Sequence, residues 1–91
     1  MRLRFYIDPA TGEPHILNHA VDAAEVEDIL DGPVDDIPGR EGARVAIGVT
    51  SAGRCLKVVY VVEPDGGQFV ITAYVPSART VRAIRRRMKK R

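Results

Sequence analysis

Arg44-Val-Ala-Ile-Gly-Val-Thr50, Cys55-Leu-Lys-Val-Val-Tyr-Val-Val62 and Phe69-Val-Ile-Thr-Ala-Tyr-Val75 are the three runs whose reading decides the fold. The first alternates, with Val45, Ile47 and Val49 on one face. A period of two marks a strand, because successive side chains point to opposite sides of the pleat. The second run places Leu56, Val58, Tyr60 and Val62 on one face and Cys55, Lys57, Val59 and Val61 on the other. Both faces are largely apolar, which predicts a central strand covered on two sides. Only Ser51-Ala-Gly53 and Glu63-Pro-Asp-Gly-Gly67 separate the three. Gaps this short suit hairpins and cannot hold a parallel crossover, so the spacing predicts an antiparallel meander.

Working outward, Arg2 to Ile7 alternates with Leu3, Phe5 and Ile7 on one face, and Asp8-Pro-Ala-Thr-Gly12 ends it. Residues 13–20 read as a short helix, with Pro14 tolerated in its first turn. A second helix is predicted over residues 23–30. Asp22 is its N-cap, Glu25 completes a capping box, and Val26, Ile29 and Leu30 form its apolar stripe. Residues 31–43, rich in Asp, Gly and Pro, read as a loop and a candidate lid or partner-contact segment. After the meander, Ser77 is the expected N-cap of a last helix over residues 77–91, with Val81, Ile84 and Met88 facing the sheet. The predicted order is β-α-α-β-β-β-α. That is an α+β fold, a small antiparallel sheet with helices packed on it, in one domain of residues 1–91.

Composition narrows the function classes. An apolar fraction of 45% with 29% charged residues is that of a globular chain and not a disordered one. The single Cys55 excludes an intramolecular disulfide and a cysteine-rich zinc site, which suits a reducing cytoplasm. The longest apolar run, Val58 to Val62, is far too short to span a bilayer, and no apolar stretch after Met1-Arg-Leu-Arg-Phe5 makes a signal peptide. A cytoplasmic protein without membrane contact is expected. No glycine-rich phosphate loop and no GxSxG motif occurs, and no cofactor is expected.

Charge is distributed unevenly. Residues 79–91 hold eight of the fourteen Lys and Arg and no acid, while the first 78 residues carry six basic and twelve acidic groups, a balance of −6. The chain is an acidic body with a cationic end, which points to an anionic partner, RNA or another polyanion. Arg79, Arg82, Arg85, Arg86, Lys89 and Lys90, with Lys57 on the sheet, are the candidate phosphate contacts; a solvated tail that aids solubility is the plain alternative.

The candidate chemistry lies on the strands and first helix. By alternation Arg44, Lys57 and Tyr74 fall on related faces, and Arg54 sits at a strand start. Cations with a phenol can hold a phosphate and stabilise its transition state while a 2′-hydroxyl attacks the neighbouring phosphorus. Ordinary strand residues reaching water are the equal alternative. His15 and His19, four apart, share a face of a helix. Two histidines fall short of a zinc site, so no metal is expected. His19 is the candidate general base, since imidazole titrates near neutrality; packing at the helix corner is its alternative.

Several segments together resemble a known family. His19-Ala-Val-Asp-Ala-Ala-Glu-Val-Glu-Asp-Ile-Leu30 is similar to the His-Gly-Val segment of BrnT-type toxins and the related DUF4258 domains. Arg44, Gly48, Thr50, Gly53-Arg54 and Leu56-Lys-Val-Val-Tyr60 resemble that family's strand pair, and Val70-Ile-Thr-Ala-Tyr74 its last strand before a basic helix. The resemblance implies a RelE/ParE-like toxin fold. It implies the toxin of a type II toxin–antitoxin pair: a metal-independent endoribonuclease held in check by a cognate antitoxin. His19, Arg44, Arg54, Tyr60 and Tyr74 fall on the motif positions, and the first three with Tyr74 are the candidate catalytic residues. Ala20 replaces the family's glycine, and Thr72-Ala73-Tyr74 replaces Ser-Ala-Arg. The alternative is a non-catalytic DUF4258-type module that contacts nucleic acid or an acidic protein through its basic helix. A homodimer joined at a sheet edge or helix is a third arrangement.

Overall fold

The meander forms in the computed structural model, which describes residues 2–89. Lys90, a candidate phosphate contact, and Arg91 lie outside the described residues. In chain order the elements are β1 (Leu3–Phe5), β2 (Ile7–Asp8), β3 (Glu13–Pro14), a 3₁₀ helix (His15–His19), α1 (Ala23–Asp31), β4 (Asp35–Pro38), β5 (Arg44–Val49), β6 (Cys55–Val62), β7 (Gln68–Tyr74) and α2 (Ala78–Lys89). β5, β6 and β7 pair antiparallel through the two predicted turns. The result is an α+β fold around a five-stranded sheet, ordered β1-β7-β6-β5-β4.

One face of the sheet carries the core. Cross-strand partners share a face, so Ala46 with Val58 and Gly48 with Leu56 point the same way. They meet Val26 and Ile29 of α1, Ile16 of the 3₁₀ helix, and Val21, Val70 and Ala73. Full burial of side chains such as Ile29, Leu56 and Val58 stabilises the fold by about 1.5–3 kcal/mol each. β5 runs close beneath this end of α1: a Cβ at Gly48 would meet Pro33 Cα at 3.4 Å and Ile29 Cδ1 at 3.6 Å, within van der Waals contact. The Asp22 capping box forms as its sequence predicts, with the Asp22 carboxylate accepting from the Glu25 amide.

The structure corrects the sequence reading in several places. The sheet is mixed, because β1 runs parallel to β7; the long connection from β1 to β7 allows this, and no local pattern announces it. Residues 13–20 do not form an α-helix. Glu13–Pro14 pairs with Ile7–Asp8 in a small hairpin, and a 3₁₀ helix follows, ended by Ala20 in the left-handed region at φ 57°. Ile7 consequently leaves the core and is half exposed. Part of the expected loop is β4, an antiparallel edge strand on β5. Asp and Pro suit an edge, where one row of backbone groups needs no partner.

The second face of the sheet is not covered along its length, contrary to the two-sided cover that the apolar pattern of β6 predicts. Val45, Ile47, Val59, Val61, Phe69 and Ile71 are only half-buried there. α2 is held at one end of the sheet. The Ser77 hydroxyl caps it by accepting from the Thr80 amide, Ile84 is buried, and Arg85 donates to the Gly53 carbonyl at 2.9 Å. Of the expected sheet-facing stripe, Val81 is half-buried and Met88 is exposed. No helix among the described residues is long and apolar enough to cross a membrane.

Candidate nucleic-acid interface

Helical spacing gathers the cations of α2 into one stripe. Arg82, Arg85, Arg86 and Lys89 stand at i, i+3, i+4 and i+7, and together they line a single surface hollow. All four are exposed. None of the four, nor Arg79, has a carboxylate within salt-bridge distance among the described residues, whereas Arg87 bonds Asp35 at 2.5 Å. Mutual repulsion among close pairs on the stripe costs about 0.2–0.5 kcal/mol per pair. The negative end of the helix dipole offsets some of it, since Arg86, Arg87 and Lys89 occupy the last turn. An incoming anion would relieve the rest.

The body treats its cations differently. Arg2 bonds Asp65, Arg4 bonds Glu63, Arg44 bonds Asp36 and Arg54 bonds Glu25. Arg44 and Arg54, both candidate catalytic residues, are thus already neutralised. They also lie at opposite ends of the β5–β6 hairpin, roughly 17 Å apart by strand rise. Arg44 faces the α1 side, where its guanidinium bonds both the Asp36 carboxylate and carbonyl. Tyr60 is buried beside them and donates to Asp36 at 2.6 Å; burial first, then Asp36, push its phenol above the ordinary value. Arg54 reaches across to the Ala20 carbonyl at 2.7 Å and to both oxygens of Glu25. It ties the end of the 3₁₀ helix to the α1 cap and so positions His19. A hollow of about 630 Å³ beside β1 contains Arg2 and Arg4, but Asp65 and Glu63 close both.

Lys57 and Tyr74 do come together, and a β-bulge is the reason. Tyr60 pairs with Val70 and Val59 with Thr72, which leaves Ile71 as an extra residue in β7. A bulge shifts the alternation by one and re-aims the residues after it. Ala73 therefore turns into the core opposite Val58, and Tyr74 turns to the uncovered face opposite Lys57. The Lys57 ammonium lies 5.8 Å from the Tyr74 ring centroid. Both border a groove of about 550 Å³ whose floor includes Val45, Val59 and Ile71. Arg44 points to the opposite face, so the expected Arg44–Lys57–Tyr74 grouping does not form.

His19 joins Tyr74 with ring centroids 5.9 Å apart, and His15 stands 5.3 Å beyond His19. His15 Nδ1 lies 3.3 Å from an Asp8 oxygen, to which Asn18 also donates at 2.8 Å. The Ala10 amide, then Asn18 and His15, hold the Asp8 carboxyl below the usual carboxylate range. Orienting one ring nitrogen in this way fixes the direction of the other. Asp8 and Tyr6 were not among the sequence candidates. The turn signal at residues 8–12 was the available clue, because a hairpin there returns residue 15 to residues 6 and 8. No three His, Cys, Asp or Glu side chains converge on a metal position among the described residues. No protein-family model, curated protein or solved structure matches this chain.

Proposed function

We propose that the protein binds nucleic acid, RNA foremost, by gripping the phosphate backbone with α2. The Arg82–Arg85–Arg86–Lys89 stripe carries this reading, because its charges have no internal carboxylate partner among the described residues. Phosphates would replace the missing counter-charge and release condensed ions, a driving force that ignores base sequence. The test is fluorescence anisotropy on a labelled RNA duplex over a salt series. Four phosphate contacts give a slope of about −3 to −4 in log K against log salt, at about −0.9 per contact. Binding that is absent at low salt, or indifferent to salt, rejects the reading.

A second reading follows the resemblance to BrnT-type toxins with their RelE/ParE-like fold: a cytoplasmic, metal-independent endoribonuclease restrained by an antitoxin. The His15–His19–Tyr74–Lys57 cluster favours it. His19 would take the proton of a 2′-hydroxyl as that oxygen attacks phosphorus, and His15, steadied by Asp8, would hand a proton to the 5′-oxygen as its bond to phosphorus breaks. Lys57 and Tyr74 would stabilise the phosphorane charge. RNA incubated with the protein and a chelator should then yield 2′,3′-cyclic phosphate ends. RNA that stays intact while still bound leaves the non-catalytic, DUF4258-type module as the function.

A further inference from the structure

The phosphate grip of α2 leaves a row of surface rings unexplained. Tyr6, His15, His19 and Tyr74 follow one another with centroids 6.2, 5.3 and 5.9 Å apart, and Lys57 stands at the far end. Their planes are tilted by 55–76° to one another. An edge-to-face contact takes up the flat face of one ring at most, so the row keeps further faces for a planar ligand. The row is also on the surface: Tyr6 is 42% exposed, His19 is exposed, and His15 and Tyr74 are half-buried. Tyr60, an aromatic that serves the core, is 3% exposed by contrast.

Flat aromatic faces beside unneutralised cations are the elements on which unpaired nucleobases stack, whereas a duplex hides its base faces within its own stack. We propose that the Tyr6–His15–His19–Tyr74 row is a stacking track for the bases of a single-stranded nucleic acid. Lys57 meets its backbone at one end of the track. The proposal rests on the nucleic-acid reading above and narrows it to single strands.

Tyrosine fluorescence gives a direct test. The chain has no Trp, and Tyr60 is buried, so Tyr6 and Tyr74 are the tyrosines open to a stacking base. Oligo-uridylate should quench the signal saturably, while a duplex of equal length should bind through α2 without quenching. Tyr6→Leu and Tyr74→Leu should each weaken single-strand binding about tenfold, within the range expected for loss of one stacking ring, and Tyr6→Leu should leave duplex affinity unchanged. Oligo-thymidylate in parallel identifies the natural strand: tighter uridylate binding marks RNA, tighter thymidylate binding DNA. Absence of quenching, or a Tyr6→Leu/Tyr74→Leu double variant that binds single strands as tightly as the parent, overturns the proposal. If the double variant does not fold, Tyr6→Leu alone, at an exposed site, decides in the same way: unchanged single-strand affinity overturns the track. Failure of the underlying reading looks different, because the parent protein then binds neither single strand nor duplex.

Discussion

The body and the last helix carry the same number of described cations but handle them in opposite ways. Six lie in the body, and four of these, Arg2, Arg4, Arg44 and Arg54, are paired with carboxylates. Six lie in the described part of α2, and Arg87 alone is paired. Arginine count therefore says little about where an anion binds; the supply of nearby carboxylate decides. The body is acidic, so its arginines close on it and become struts. The last helix has no acid of its own and meets the body through Ile84, the Arg85–Gly53 hydrogen bond and the Arg87–Asp35 pair, so the charges of its other cations remain available to a partner.

This contrast can be broken most severely by neutralising the stripe. Replacing Arg82, Arg85, Arg86 and Lys89 by Gln should lower RNA affinity on the order of 10³-fold at low salt, from the loss of four counterion-releasing contacts. Arg44→Gln, which removes a paired body cation, should leave that affinity unchanged in the same anisotropy assay. Equal losses from both variants would erase the distinction.

Stability should respond in the reverse sense. Arg54→Ala removes the strut between the β5–β6 turn, the Ala20 carbonyl and Glu25, and should cost about 1–2 kcal/mol in a urea melt, as charged hydrogen bonds of partly exposed groups do. Ala20→Gly at the same junction should raise stability by up to about 1 kcal/mol, because Ala20 sits at φ 57°, where a Cβ is strained. A melting temperature that falls on this substitution would show the strain to be compensated. The smallest change is expected from Arg86→Gln, which relieves repulsion with Arg82 and Lys89. It should stabilise the free protein by roughly 0.5 kcal/mol while weakening RNA binding. A variant that melts lower than the parent would mean that Arg86 is a strut after all.

Much of the scaffold was legible in the chain's local patterns. The alternation of residues 44–75 gave the meander, the Asp22–Glu25 spacing gave the α1 cap, and the lack of acids after residue 78 gave the cationic helix. The candidate site was only partly legible. His19, Tyr74 and Lys57 do assemble, but Arg44 and Arg54 lie at opposite ends of a hairpin and hold carboxylates supplied by other elements, Asp36 of the neighbouring β4 and Glu25 of α1. β4 was missed because Asp and Pro read as loop residues, although a sheet edge accepts them.

By itself the sequence determined what depends on near neighbours: strand periodicity, helix capping, turn positions and the segregation of charge. These follow from a residue and the few beside it, through backbone sterics and local hydrogen bonds. Tertiary structure alone decided that β1 runs parallel to β7, that the bulge at Ile71 turns Tyr74 toward Lys57, and which arginines stay unpaired. Each of those outcomes is fixed by a partner tens of residues away or on another element. Register and charge pairing are properties of a contact, and a contact has no existence until the chain has folded.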